Sequence, residues 1–563
     1  MDNTITSNDL IDCDECFKIA AGPGAGKTHW LCNHIKNVIS NSKRLGIKRK
    51  IACITYTNVG ANTIRSRVCR SSDRLEVATI HSFLYTHIVK PYIHFIAKDF
   101  GLNHSKLKLT GDDFFIGNQL AQAVKERTGY VYVSNKRITE AISQARWQFK
   151  EDSIDFKPKF PIKANDKYYL PNYIYNTYKY ILWEKGVITY DDIMYFSYQL
   201  LTKIPNIKFL IKSAYPYFFV DEFQDSTPIQ IAIFKILGNS GIIIGVIGDR
   251  CQSIYDFIGA SIQQFDNFHL EGMNRYVIKK GNRRSSNQII DLLNCVRKDL
   301  TQDKILNIDD TIPMLLVGDK FDCYNYCKKK LLNNSDIHTL SYPNHIANSF
   351  KAQKEDTPSE NLLKSDFDSN LIRKIIIKSL IQGIEFTRDG NYGEAYHCLK
   401  LIEEDSKKIS YMLKKLIEAY PLYSNDNLIS FLRFVKTELN IQIASPNKNN
   451  LKFYKEHYYW DLACYVSISD NTVNNKTVHK AKGDEFENVL LVLEKEEDIS
   501  FLLKPDLEHK NHHRVFYVGI SRAEKKLFIS VPNITEQQEM DLSKLPIIIK
   551  KVTSKDLLED IND

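Results

Sequence analysis

The chain has 563 residues, of which 43% are hydrophobic and 26% charged, a composition typical of an ordinary globular protein. Its length is too great for one core and predicts three or four compact units. It shows no signal-peptide pattern and no long uncharged apolar run, which predicts a cytoplasmic protein without a membrane partner. The net charge of +8 permits nucleic-acid binding without predicting it, and the eleven cysteines lack the spacing of a zinc site.

The first predicted element is a short strand over 17–20, which a glycine-rich loop and an apolar helix follow directly. This order is typical of a phosphate-binding P-loop, where backbone N–H groups and a helix N-terminus surround the phosphates. The expected nucleotide-binding residues are Gly22, Pro23, Gly24, Ala25, Gly26, Lys27 and Thr28. Lys27 would bridge the β- and γ-phosphates of ATP, and Thr28 would help to hold Mg²⁺. Ala21 stands where the strict pattern has glycine, and an ordinary glycine-rich turn is the alternative interpretation.

The next segments are a strand over 50–58, which ends in small polar residues, and the segment 78–83. A long stretch rich in aromatic residues follows them. Its aromatic residues include Tyr168, Tyr169, Tyr173, Tyr175, Tyr178, Tyr180 and Trp183. Such rings could stack on nucleobases, but their helical spacing favours packing in a core.

An apolar strand over 217–220 ends in two carboxylates, Asp221 and Glu222. Asp221 would orient the Mg²⁺ shell together with Thr28, and Glu222 would be the general base that polarises the attacking water. The following Gln224 and Asp225 are typical of a motor that senses the γ-phosphate and passes that signal to a nucleic-acid groove. This segment therefore predicts a P-loop NTPase of helicase type.

Four later segments, over 248–260, 281–285, 477–486 and 514–523, complete a set in one order along the chain. The set resembles the UvrD/Rep-like family of superfamily 1 helicases and spans residues 20–527. Its Asp-Glu-x-Gln-Asp, Gly-Asp-x-x-Gln-Ser-Ile-Tyr and His-x-Ala-Lys-Gly-x-Glu-Phe motifs are specific signatures.

The resemblance implies an α/β fold with two RecA-like parallel-sheet P-loop NTPase domains. Each domain would carry a mainly helical insertion, and ATP would bind in the cleft between the domains. The implied limits are 1–85 and 188–275 for the first RecA-like domain, 86–187 for its insertion, 276–330 and 465–563 for the second RecA-like domain, and 331–464 for its insertion.

The resemblance also assigns roles to single residues. Gln252 matches the family's γ-phosphate sensor, and Arg284 and Arg522 match its two arginine fingers. Glu485 matches a residue that contacts the nucleotide sugar. The implied contacts to single-stranded DNA are Thr57, Asn58, His81, Tyr255 and Phe257. For Tyr255 or Phe257, burial in the core is the alternative.

Three positions depart from the family pattern. The family has a glutamine upstream of the P-loop that reads the adenine edge, whereas the first glutamine of this chain is Gln119. Ile258 stands in place of an arginine, and Val59 in place of a lysine. The set of residues expected for ATP hydrolysis is therefore complete, whereas the chain has fewer of the expected DNA-binding residues than the family pattern.

The implied function is an ATP-dependent DNA helicase or translocase that moves 3′ to 5′ on single-stranded or tailed DNA, with ATP and Mg²⁺ as cofactors. The compact insertions and reduced DNA contacts also resemble the helicase-like GajB subunits of Gabija anti-phage systems, which work with an OLD-family nuclease. The short stretch after Arg522 leaves no room for a nuclease domain, so we expect any nuclease to be a separate subunit. A stand-alone repair or replication helicase is the alternative.

Overall fold

The chain divides into two units. Unit 1 comprises Met1–Arg283 with Asp299–Ile305, and unit 2 comprises Arg284–Lys298 with Leu306–Asp563. The computed structural model describes residues 3–56, 58–68, 73–110, 118–150, 153–164, 168–278, 281–352, 362–363, 367–400, 402–403, 405–466 and 474–557.

The strands of unit 1 are β1 (Asn3–Ile5), β2 (Phe17–Ala21), β3 (Ile51–Thr55), β4 (Leu75–Thr79), β5 (Lys108–Thr110), β6 (Ala145–Lys150), β7 (Ser153–Pro158), β8 (Val187–Thr189), β9 (Tyr217–Val220), β10 (Ile243–Gly248) and β11 (Asn274–Ile278). Its helices are α1 (Lys27–Asn41), α2 (Asn58–Val68), α3 (Ile80–Leu84), α4 (Lys90–Tyr92), α5 (Asn118–Thr128), α6 (Asn135–Ser143), α7 (Asn172–Glu184), α8 (Tyr190–Lys203), α9 (Asn206–Ala214), α10 (Pro228–Asn239) and α11 (Ile262–Asn267).

A seven-stranded sheet forms the centre of unit 1, in the order β1-β11-β2-β10-β9-β3-β4. Its strand pairs are parallel. Such sheets are covered on both faces, so their strands are apolar throughout, as β3, β9 and β10 are. Along β9, Phe218 packs into one core and Phe219 into the core on the other face. The sheet order places the carboxyl ends of β2, β10 and β9 side by side.

The first insertion has its own small core between α5, α6, α7 and the antiparallel hairpin β6–β7. It is therefore less helical than the sequence predicts. The aromatic stretch divides in two, because Tyr175, Tyr178 and Trp183 are buried, as predicted for core packing. That prediction is wrong for four other tyrosines, which are exposed, namely Tyr168, Tyr169, Tyr173 and Tyr180.

The strands of unit 2 are β12 (Met314–Val317), β13 (His338–Ser341), β14 (Asn475–Thr477), β15 (Phe486–Val492), β16 (Ala523–Val531) and β17 (Ile548–Lys551). Its helices are α12 (Asn287–Val296), α13 (Lys320–Tyr326), α14 (Asn344–Ala352), α15 (Leu371–Arg388), α16 (Tyr392–Leu399), α17 (Ser406–Glu418), α18 (Tyr420–Tyr423), α19 (Leu428–Glu438), α20 (Lys448–Glu456), α21 (Tyr459–Ala463), α22 (Ser500–Leu503), α23 (Asn511–Ile520) and α24 (Glu536–Leu542).

A second parallel sheet lies in unit 2, with six strands in the order β14-β13-β15-β16-β12-β17. Six strands of the first sheet, β4-β3-β9-β10-β2-β11, follow the same topology. When the six strands of each sheet are numbered along the chain, both sheets have the order 3-2-4-5-1-6. Two parallel sheets covered by helices confirm the predicted α/β fold with two RecA-like domains.

The second insertion is a helical cluster with a separate core, formed mainly by α15, α17, α19, α20 and α21. The predicted range for this insertion, 331–464, also includes β13, but β13 pairs with β14 and β15 inside the sheet. The helical cluster therefore begins after this strand. The predicted end of the first RecA-like domain at 275 falls inside β11, which pairs with β1 and β2 through Ile278. The other predicted domain limits stay predictions. Within the described residues, no helix is both long enough and apolar enough to cross a membrane.

Candidate nucleotide and nucleic-acid site

The glycine-rich loop lies between the end of β2 at Ala21 and the start of α1 at Lys27. Gly24 and Gly26 have φ angles of 69° and 86°, a left-handed conformation that favours glycine. Ala21 belongs to the strand, where extended backbone accepts any residue, so its departure from the strict pattern causes no strain. Gly26 precedes α1 without a side-chain cap, which leaves the first N–H groups of the helix for a ligand.

Two residues later in unit 1, Arg283 and Gln302, hydrogen-bond to backbone carbonyls of this loop. Gln302 donates from Nε2 to the Pro23 carbonyl at 2.8 Å, and the Arg283 N–H donates to the Gly24 carbonyl at 3.0 Å. A Cβ atom at Gly22 would lie 2.7 Å from Gln302 Nε2, so a larger residue there would displace the amide that supports the loop. Sequence reasoning missed Gln302, since no local pattern links it to a loop 279 residues away.

The two carboxylates follow β9 and face the P-loop lysine. Lys27 Nζ lies 3.9 Å from Glu222 Oε2. Glu222 has a φ angle of 53°, which is uncommon for a residue with a side chain and is often found at functional sites. The structure therefore brings Lys27 and Glu222 together, as expected for residues that follow the carboxyl ends of β2 and β9, the two strands that flank β10.

Asp221 is 7% exposed, and burial together with the charge of Glu222 raises its pKa to about 7, while Lys27 acts in the opposite direction. The carboxylate pair is thus only partly neutralised by protein groups. Its oxygen atoms are ligands that suit a hard divalent cation such as Mg²⁺, and Thr28 lies in the first turn of α1, which leaves the loop. These residues fit a Mg²⁺–nucleotide complex.

A chain of hydrogen bonds joins Glu222 to Gln252. Gln224 donates from Nε2 to Glu222, and its Oε1 accepts from the Asp249 N–H at 3.0 Å. Gln252 in turn donates from Nε2 to Asp249 Oδ2 at 2.9 Å. The chain connects the expected general base with the expected γ-phosphate sensor, and Asp249 is a link that sequence reasoning had not singled out.

Three further predicted site residues lie together in unit 2. Arg284 donates from Nε to Glu485 at 2.8 Å and from Nη1 to the Ser521 carbonyl at 2.9 Å. Arg522 is 3% exposed and donates from Nη2 to the Ser521 hydroxyl at 3.0 Å. Unit 2 therefore gathers both predicted arginine fingers and the predicted sugar contact around the turn that links α23 and β16.

The predicted DNA contacts have different surroundings. The ring of His81 meets Tyr190 edge-on, with centroids 6.0 Å apart. Tyr255 is partly buried and stacks on Tyr56 at 4.9 Å, whereas Phe257 is 72% exposed. Thr57 lies outside the described residues, and the structure describes Asn58 only as the first residue of α2.

Sequence reasoning missed Tyr56 and Tyr190, which lie against two of the predicted DNA contacts. Tyr56 directly precedes Thr57, and Tyr190 opens α8 beside Asp191. Both residues are aromatic and stand next to a motif, and this position in the sequence could have identified them as candidate DNA contacts.

Comparison with known proteins finds that residues 5–271 match a family model described as the UvrD/REP helicase N-terminal domain. A probable DNA helicase II homolog of Mycoplasma capricolum is 26% identical over 78% of this chain and 61% of its own length. The Gabija protein GajB of Bacillus cereus is 25% identical over 86% of each chain. The ATP-dependent DNA helicase PcrA of Bacillus subtilis is 24% identical over 94% of this chain and 82% of its own length.

Proposed function

We propose that this chain, whose residues 5–271 match the UvrD/REP helicase N-terminal domain, is a DNA helicase of that family that hydrolyses ATP to move 3′ to 5′ along single-stranded DNA. One observation carries this proposal, namely that four residues with complementary chemistry stand at the carboxyl ends of β2, β9 and β10. They are Lys27, Asp221, Glu222 and Gln252.

In this proposal, the N–H groups of the loop and Lys27 bind the β- and γ-phosphates, and Asp221 and Thr28 hold Mg²⁺. When bound, Mg²⁺ supplies positive charge that offsets the charge of the phosphates. Glu222 accepts the proton of the attacking water, and its carboxylate is oriented for this by the amide of Gln224.

The residues of unit 2 complete the assignment. We propose that Arg284 and Arg522 stabilise the charge that develops on the γ-phosphate, and that Glu485 contacts the nucleotide sugar. For DNA, the proposal retains Thr57, Asn58, His81, Tyr255 and Phe257. Among these, the exposed ring of Phe257 supplies the surface that base stacking needs.

The site assignment is tested by DNA-stimulated phosphate release from Lys27→Ala and Glu222→Gln. We expect Lys27→Ala to lose nucleotide binding, because the γ-phosphate loses its cation. Glu222→Gln should bind nucleotide and hydrolyse it at least about a hundredfold more slowly, since general-base catalysis contributes that much or more. Lys36→Ala, an exposed lysine on the same helix, is the matched control. Unchanged hydrolysis in both site variants would show that the assignment is wrong.

We further propose that the chain is the helicase-like subunit of an anti-phage complex with a separate OLD-family nuclease. The similarity to GajB over 86% of both chains supports this role, and a stand-alone repair or replication helicase is the alternative. Coexpression with an OLD-family nuclease from the same genome should give a complex that elutes as one species. Phage protection should then be lost in Lys27→Ala. Failure to form a complex, together with unwinding by the isolated chain and unchanged phage growth, would favour the stand-alone role.

A further inference from the structure

The first insertion exposes a cluster of tyrosine rings, here called the tyrosine patch, which consists of Tyr130, Tyr132, Tyr168, Tyr169 and Tyr173. Four of these side chains are 48–65% exposed. Tyr130 lies at the centre, with ring centroids 5.4 Å from Tyr132 and 5.9 Å from Tyr173. A hydrogen bond with Tyr130 raises the pKa of Tyr173 to about 12, and the nearby Tyr168 contributes to the raised pKa of Tyr132. The rings of Tyr130, Tyr132 and Tyr173 therefore form one contiguous surface, with Tyr168 beside Tyr132.

Four of the five tyrosines of the patch lie outside the core of the insertion. Tyr130 and Tyr132 lie in the turn between α5 and α6, and Tyr173 stands in the first turn of α7. The core is filled by other residues of the same helix, such as Ile174, which is fully buried. Tyr130 also packs against this core, whereas the other four tyrosines of the patch are exposed, and an exposed cluster of large rings is typical of an interaction surface.

The two segments that carry the rings are rich in basic residues. In the sequence, residues 130–137 and 159–173 contain five lysines or arginines and one acidic residue, Asp166. Arg137 donates from Nε to the Lys163 carbonyl at 2.8 Å, and Lys163 pairs with Tyr169 in an isolated β-bridge. This contact joins Arg137 of the first segment, which also pairs with Glu140 at 3.4 Å, to Lys163 of the second.

Aromatic rings that alternate with basic side chains match single-stranded DNA. Its bases are free to stack on rings, and its phosphates pair with lysine and arginine without regard to sequence. Duplex DNA hides its base faces, and the centres of protein interfaces are poor in lysine. We propose that the tyrosine patch binds single-stranded DNA by base stacking, as a second contact surface apart from the motif residues. This inference rests on the proposed action on single-stranded DNA.

The direct test measures the binding of labelled oligo(dT) of graded length by fluorescence anisotropy, without nucleotide, on the full chain. The variant Tyr132→Ala/Tyr168→Ala/Tyr173→Ala should bind long oligonucleotides at least about tenfold more weakly, since each stacked base contributes measurably. The matching triple substitution by phenylalanine should bind like the unchanged chain, because stacking needs the ring and not the hydroxyl. Tyr392→Ala and Tyr411→Ala, which remove exposed tyrosines of unit 2, serve as controls.

Two further measurements separate this inference from the proposed motor. Lys27→Ala should lose ATP hydrolysis but keep the affinity for oligo(dT) that the tyrosine patch provides. The alanine triple variant should keep the rate of ATP hydrolysis that is measured in the absence of DNA. Lys163→Ala should lower the slope of log affinity against log salt by about 1, as expected for one phosphate contact.

Several results would overturn the proposal. One is an alanine triple variant that binds oligo(dT) as tightly as the unchanged chain, with the same urea midpoint. Equal loss in the phenylalanine variant would show that stacking is not the cause. Tighter binding of oligo(U) than of oligo(dT) at the patch would assign it to RNA. Loss of a protein partner with unchanged DNA affinity would make the patch a protein interface.

Discussion

His34 lies on the P-loop helix with its imidazole buried among aromatic rings. The ring stacks on Trp30 at 4.9 Å and meets Phe17 edge-on at 5.0 Å. Neither ring nitrogen has a hydrogen-bond partner among the described residues. Burial therefore lowers the pKa of His34 from 6.5 to about 4, and the folded protein keeps this side chain neutral.

The buried histidine predicts acid sensitivity. Between pH 6.5 and about 4 the unfolded chain binds a proton that the folded chain excludes, so the free energy of unfolding falls as the pH decreases through this window. The full contribution, roughly 3 kcal/mol, is present above pH 6.5. We expect His34→Phe to flatten this part of the pH profile of urea unfolding. The exposed control His104→Phe should leave the profile unchanged. An equally steep profile in His34→Phe would contradict the assignment.

Gly248, at the end of β10, makes room for the hydrogen-bond chain of the site. A Cβ atom there would lie 2.3 Å from Gln224 Oε1. Gly248→Ala should therefore displace the amide that orients Glu222 and lower the hydrolysis rate by up to about a hundredfold, while nucleotide binding changes little. Gly393→Ala, where a Cβ atom meets nothing within 4 Å, is the control. Single-turnover hydrolysis and nucleotide titration measure both effects, and wild-type turnover would show that Gln224 does not position the base.

At the scale of elements, a buried ion pair fixes the place where the chain returns from the first insertion to the first sheet. Asp192 on α8 accepts from Lys179 Nζ on α7 at 2.7 Å and from the indole of Trp147 on β6 at 2.9 Å. Its second oxygen accepts from the Thr189 N–H at 2.9 Å and closes the capping box of α8. One carboxylate thus joins three elements.

The ion pair predicts a large loss of stability on neutralisation. Asp192→Asn leaves Lys179 charged and buried, and breaking such a pair costs about 3–5 kcal/mol. The comparison variant is Asp99→Asn, whose partner Lys203 is exposed, and it should change the free energy of unfolding by less than about 1 kcal/mol. Urea unfolding followed by circular dichroism measures both changes. Similar small changes in the two variants would show that the buried pair does not stabilise this junction.

At the scale of the whole molecule, the proposed direction of movement is open to a direct test. Strand displacement is compared on duplexes with a 3′ tail and with a 5′ tail, in the presence of ATP and Mg²⁺. We expect displacement on the 3′-tailed duplex only, since movement 3′ to 5′ carries the protein from that tail into the duplex. Glu222→Gln, which should bind both substrates without displacement, controls for strand separation by binding alone. Displacement from the 5′ tail would reverse the proposed direction.

The sequence by itself determined the class of protein and the local chemistry of the site. Strands that end in a glycine-rich loop or in paired carboxylates can be recognised over ten residues, because each motif is contiguous and its backbone conformation depends on nearby residues. The two parallel sheets and the approach of Lys27 to Glu222 agree with that reading. The roles of these residues in hydrolysis stay predictions.

Only the tertiary structure decided which side chains meet across long separations in the chain. Gln302 supports the P-loop from 279 residues away, and β13 joins the second sheet inside the range predicted for an insertion. Tyr175 and Tyr173 stand two residues apart on one helix, yet one is buried and the other exposed. Burial depends on what packs against each face of the helix, and that packing is set by distant segments, which is why a pattern of aromatic residues alone could not separate the core from the tyrosine patch.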